Sequence, residues 1–180
     1  MESPEDHTET VKEHIRHEAM HKSNEKQIMT YAITSAIYAI FAATASLLAG
    51  YHSNESIVEQ MKSSDQWSYY QAKSIKMNVA ETKLEILKAI NPHFSDEKIL
   101  NKIESYKNEI KEISQIAKEK EVLSEQHLLK HISFSRSVTL FQVAIGMTAF
   151  AILIKRKRFW YLSIGFGLVG LGFLIFGFSS

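Results

Sequence analysis

Three stretches without a charged residue constrain this chain more than anything else in it. Ile28 to Gly50 (IMTYAITSAIYAIFAATASLLAG) runs for 23 residues. At about 1.5 Å per residue, a helix of that length covers the roughly 30 Å of a bilayer core. Val138 to Ile154 supplies 17 more, extended by Phe134 to Ser137, where Arg136 can reach toward headgroups. Phe159 to Phe178 adds 20, opening on a Phe-Trp-Tyr cluster of the kind that settles at the lipid–water boundary. Each stretch predicts a membrane-spanning helix. The first exceeds the apolar core of a cleavable signal and follows 27 residues rich in acid, so a retained anchor is expected.

What lies between spans one and two is equally restrictive. The chain has seven Gly and two Pro in 180 residues, too few turn formers for a β-sandwich or barrel. Tyr51 to Ser137 contains no Gly and only Pro92. Pro92 removes a backbone donor and biases Asn91 away from the helix, dividing this region into two arms of nearly equal length. Ser95 is the expected cap of the second arm, with Asp96 and Glu97 at the positive end of its dipole. In that arm Ile99, Ile103, Tyr106, Ile110, Ile113 and Ala117 follow a 4,3,4,3,4 rhythm that weakens at Lys120 before Leu123 and Leu128. The first arm carries two stripes, Trp67, Tyr70, Met77, Leu84 and Leu87 on one, Ala72, Ile75, Val79, Ile86 and Ile90 on the other. Two stripes on one helix require two partners.

The predicted fold is therefore an all-α membrane protein, with three transmembrane helices and a long antiparallel coiled-coil hairpin between spans one and two. The expected divisions are a His/Glu-rich tail (1–27), span one (28–50), the hairpin (51–137, turn at 91–95), span two (138–154), a basic turn (155–158) and span three (159–178). Lys155, Arg156, Lys157 and Arg158 form the strongest positive-inside signal. They predict a cytoplasmic N-terminus, with the hairpin and the C-terminus on the opposite side. The absence of Cys rules out disulfides and thiolate metal sites. A net charge of +1 argues against a nucleic-acid partner.

Four features are candidate sites. In the tail, His17-Glu18-Ala19-Met20-His21 matches H-E-x-x-H, and with His14 it puts imidazoles on one helical face. Zinc hydrolysis also needs a third ligand and a dry cleft, so a metal site at His14, His17 and His21 is the weaker reading and a solvated tail the stronger. In span one, Ala32, Ala36, Ala39, Ala43, Ser46 and Gly50 form a strip of small residues at 4,3,4,3,4 spacing. Such a strip predicts close helix packing within or between protomers. A pore lining is the alternative, although no span carries an interior charge. In span three, Ser163, Gly167, Gly170 and Gly177 share a second packing face. The fourth candidate is the segment Asp65-Gln66-Trp67-Ser68-Tyr69-Tyr70-Gln71-Ala72-Lys73, whose Asp65, Trp67, Tyr70, Gln71 and Lys73 form either part of the seam or an interaction patch. Counted from the turn, it is expected to face residues 115–120.

The run ASLLAGYHSNESIVEQMKSSDQWSYYQAKSIK, with its Asp-Gln-Trp and Tyr-Gln-Ala-Lys core, resembles a family of small bacterial membrane proteins catalogued as a domain of unknown function, number 4337. The resemblance extends over most of the chain, to the three-span layout, the His-rich acidic tail and the basic turn before the last span. It implies a multi-pass protein of a bacterial inner membrane and brings no activity, cofactor or catalytic residue. The expectation for function is a non-enzymatic oligomeric scaffold or accessory subunit of a larger membrane complex, with the lipid bilayer and further copies of the chain as partners. A channel component is the alternative, and a metal-dependent hydrolase built on the tail is less favoured.

Overall fold

The computed structural model describes residues 4–179, with side chains from Glu25 onward. The side chains of His14, His17 and His21 lie outside the described residues. Three helices make up the described chain, α1 (Pro4–Ile90), α2 (Glu97–Ile154) and α3 (Lys157–Ser179). Each holds a segment long and apolar enough to cross a membrane. Among the described residues there is no strand.

Local chemistry fixes where the helices stop. The Asn91 N–H still donates to the Leu87 carbonyl at 3.0 Å, but Pro92 has no N–H to continue the ladder. The Asn91 side chain then accepts from the His93 N–H at 3.2 Å, and its carbonyl accepts from the Phe94 N–H at 2.8 Å. The cap of α2 is Asp96 and not Ser95. Asp96 Oδ1 accepts from the N–H groups of Lys98 and Ile99 at 2.9 and 3.4 Å, while its carbonyl takes the first intrahelical bond, from Leu100. The turn uses one residue more than expected, which moves the capping position from a hydroxyl to a carboxylate. Between α2 and α3 only Lys155 and Arg156 are non-helical, so the basic turn is shorter than 155–158. Lys155 ends α2 with φ at 55°, the left-handed stop that glycine ordinarily supplies. Lys157 and Arg158 belong to the first turn of α3.

The chain divides into two compact units. The first joins the chain up to Ala49 with Ile132–Ser179. Its core is Ala42, Ala45 and Ala49 of α1, Phe134 and Phe141 of α2, and Leu174 of α3. Small side chains on α1 leave room for the aromatic rings of α2, and Tyr38 and Phe41 stack on Phe141 at centroid distances of 6.1 and 5.6 Å. Helix α3 lies close enough that Gly167 abuts the Tyr38 ring and Gly177 the Phe134 ring.

The second unit, Gly50–His131, holds the rest of α1, the turn and the first part of α2. Its two helical arms run antiparallel, since rising positions on α1 (His52, Ser56, Ser63) meet falling positions on α2 (His127, Ser124, Ala117). Ile99, Ile103, Tyr106, Ile110, Ile113 and Ala117 are all buried or half-buried. The 4,3 spacing does not lapse there. It continues through Lys120, Ser124 and His127, which are covered, whereas Leu128 is exposed.

Candidate functional site

The covered face of the first arm falls at alternating steps of four and three: His52, Ser56, Glu59, Ser63, Gln66, Tyr70, Lys73, Met77, Ala80, Leu84 and Leu87. Chemistry changes along it. From Tyr70 to Leu87 the seam is largely apolar, and from His52 to Ser63 it is polar.

In the polar part, small residues let the arms approach until side chains reach the opposite backbone. Ser56 Oγ donates to the Ser124 carbonyl at 3.0 Å, and Ser124 Oγ donates to the Ser56 carbonyl at 2.9 Å. Ser63 Oγ donates to the carbonyl of Ala117, a residue with no exposed surface. Each carbonyl keeps its helical bond and uses its second lone pair. Glu59 is buried between two lysines, with Lys62 Nζ at 2.6 Å and Lys120 Nζ at 3.1 Å. The Lys120 contact is an ion pair without hydrogen-bond alignment, so Glu59 Oε2 is balanced by charge alone. Lys62 first and Lys120 second hold the Glu59 carboxyl below the usual carboxylate range. At the end of the seam His52 Nδ1 lies 2.9 Å from His127 Nδ1. Burial, and then the neighbouring His127, push the His52 imidazole below its ordinary value.

The Asp65–Lys73 segment lies nearer the turn than expected. Lys73 forms an ion pair with Glu109 and sits 5.4 Å from the centroids of the Tyr69 and Tyr106 rings, so the segment faces residues before 115. Residues 115–120 instead meet Glu59 and Ser63. The offset arises because the turn residues are not shared equally between the arms. Trp67 and Tyr70 are half-buried and pack edge to face at 5.4 Å, while Asp65 and Gln71 are exposed. Lys73 is the member of the segment that reaches across the seam.

Two faces of α1 remain uncovered, one in each unit. In the second unit Ile75, Val79, Ile86 and Ile90 are 62, 64, 56 and 77% exposed. Ile75, Val79 and Ile86 line an open groove of about 520 Å³ with Lys83 at its rim. This is the second stripe, and the first stripe (Trp67, Tyr70, Met77, Leu84, Leu87) is the covered one. In the first unit Ala32, Ala36, Ala39, Ala43 and Ser46 are all exposed, as is Gly50 at the start of the second. The contact within the chain is made by a different set, Ala42, Ala45 and Ala49. Gly167 and Gly170 of α3 are buried, beside Tyr38 and beside Leu140 and Phe141 respectively. Ser137 Oγ donates to the Gly170 carbonyl, and Thr148 Oγ1 donates to Ser163 Oγ, both at 2.8 Å. Lys155, Arg156, Lys157 and Arg158 are all exposed.

Sequence reasoning missed the polar seam, although the signal was present. Continuing the 4,3 count past Ala117 lands on Lys120, Ser124 and His127. Because none of them is apolar, a search for apolar periodicity stops one step too early. Among the described residues no three His, Asp or Glu side chains converge as a metal cage.

Residues 27–180 match the family described as a domain of unknown function (DUF4337). No curated protein and no solved structure matches the chain.

Proposed function

We propose, for a chain that belongs to the DUF4337 family and takes no activity from that membership, a non-enzymatic role as a self-associating membrane scaffold or accessory subunit of a membrane complex. The observation that carries this reading is the uncovered stripe Ile75, Val79, Ile86 and Ile90, on an arm whose other face is already occupied. Fully burying one such side chain contributes about 1.5–3 kcal/mol. Given the exposures above, covering the four yields roughly 4–8 kcal/mol before association costs, which run from about 4 to more than 15 kcal/mol. The stripe alone is therefore marginal for a soluble dimer. Two copies held in one bilayer with one orientation have already lost much of that freedom, and the Ala32–Gly50 strip offers a second contact between them.

The second arm and its partner stripe form a coiled-coil hairpin on this reading, and the three apolar helices are inserted in a bacterial inner membrane. Lys155 to Arg158 favour a cytoplasmic side for that turn and for the N-terminus, with the hairpin and the C-terminus in the periplasm. A pore lined by span one draws less support. The Thr34 and Thr44 hydroxyls donate to the carbonyls of Thr30 and Ile40 on their own helix, at 2.8 and 3.0 Å.

Because the chain has no Cys, Ala39→Cys and Ile75→Cys each introduce the only thiol. Disulfide-linked dimers in native membranes from both variants, absent for Gln126→Cys on the other arm, are the expected result. Monomer throughout would sink the proposal.

A further inference from the structure

The His52–His127 contact has a consequence that is independent of self-association. Two Nδ1 atoms 2.9 Å apart are at hydrogen-bond distance, and such a bond needs one donor and one acceptor. With both rings neutral, one Nδ1–H points at the lone pair of the other. A first added proton goes to the donor ring, on its Nε2, and leaves a charge-assisted bond in place. A second must go to the acceptor Nδ1, where it faces the first N–H. That step removes the bond and puts two positive rings together.

The surroundings oppose the second step. His52 is flanked on its own helix by Tyr51, whose ring meets it edge-on at 5.1 Å, and by Glu55. Across the seam, α2 presents His127, Lys130 and His131. Glu55 is the one group among these that favours a positive charge, against two imidazoles and an ammonium. On the turn side of the pair little apolar burial resists separation, because the next cross-arm contacts there are the Ser56–Ser124 pair and the Glu59–Lys120 ion pair.

We propose that His52 and His127 are a proton-operated latch, which holds the two arms together while the pair carries at most one added proton and parts them at this end when it carries two. The folded-state value of His52 is depressed, so its contribution to stability is complete above the ordinary imidazole value of about 6.5 and is lost as pH falls from there through the folded value. The signal read is acidification on the side where the arms lie.

The test uses the full chain in lipid nanodiscs, spin-labelled at Asn54→Cys and Gln126→Cys, exposed positions on the two arms, and diluted with unlabelled protein so that only distances within one chain register. Between about pH 8 and about pH 4.5, the wild-type background is expected to show a longer and broader distance distribution. The same labels with His52→Leu and His127→Leu should give one distance at both pH values. No change in the wild type, or the same opening in the doubly substituted protein, would overturn the latch. If that variant does not fold, histidine ¹⁵N resonances of the wild type decide the matter. Opening must coincide with loss of the last unprotonated Nδ1 of the pair, and opening that precedes it refutes the proposal.

Discussion

A methyl group added at Gly167 tests how closely α3 approaches α1. An ideal Cβ built there lies 2.5, 2.6 and 2.7 Å from Cε1, Cζ and Oη of Tyr38. Ordinary contact begins near 3.5 Å, so the ring or the helix must shift by about 1 Å. The ring is not free to swing, because it stacks on Phe141, which is 1% exposed. Overpacking of this kind costs about 1–3 kcal/mol. Alanine also removes the helix penalty of glycine, a gain of up to about 1 kcal/mol measured in water. Gly172 isolates that gain, because nothing lies within 4 Å of a Cβ built there. Gly167→Ala is therefore expected to be about 1–3 kcal/mol less stable than Gly172→Ala, roughly a fivefold to hundredfold difference in the folded ratio. Unfolding in mixed micelles with increasing denaturing detergent, followed by circular dichroism, measures it. Tyr38→Leu removes the three clashing atoms, so the pair with Gly167→Ala should be less destabilised than the two single changes added together. Equal stability of Gly167→Ala and Gly172→Ala, or strict additivity in the cycle, would refute the close approach.

Three further outcomes follow from local geometry. Asp96→Ala removes the cap of α2 and should cost about 0.5–2 kcal/mol, with Asp96→Asn retaining most of it, read by the same unfolding assay. Lys155→Gly relieves a left-handed residue and should stabilise by roughly 1 kcal/mol; a loss instead would mean that Lys155 makes a contact that outweighs its backbone strain. Glu59 has a folded-state pKa below the usual carboxylate range, so its contribution is complete above the unfolded value and disappears as pH falls through the folded one. In Glu59→Gln that acid-dependent part of the stability profile should be missing.

Much of the fold was legible because long apolar runs and long polar runs alternate in one chain. An uncharged run of about 20 residues leaves few alternatives to a helix long and apolar enough to cross a bilayer, and the lack of Gly between Tyr51 and Ser137 leaves few alternatives to long arms. The two stripes of the first arm were legible too, but both differ from polar neighbours in the property that water sorts, so the sequence did not tell that Met77, Leu84 and Leu87 mark the covered one. Span one shows where this stops working. Ala32, Ala36, Ala39 and Ala43 mark one face, and Ala42, Ala45 and Ala49 mark another, so small size alone gives two equally good answers. What selects the second set is the position of Phe134 and Phe141 on α2, information that no periodicity within α1 contains.

The polar half of the seam was hidden for a related reason, and its chemistry is not an arbitrary substitute for apolar packing. Leucine or isoleucine at Ser56, Ser63, Ala117 and Ser124 would hold the arms apart, and the hydroxyl-to-carbonyl bonds of 2.9–3.0 Å could not form. Serine allows the approach and supplies a cross-arm bond worth about 1 kcal/mol, less than a buried leucine contributes. Residues 52–63 are thus fastened by directional contacts of modest strength, whereas residues 70–87 are fastened mainly by apolar area, with the Lys73–Glu109 and Glu81–Lys107 ion pairs beside it. Among these contacts the Glu59 ion pairs and the His52–His127 contact respond to protons, whereas the serine bonds and the apolar contacts do not. A fall in pH therefore acts on the carboxylate and imidazole contacts, while the apolar contacts of Met77, Leu84, Ile103 and Ile113 keep the arms in register.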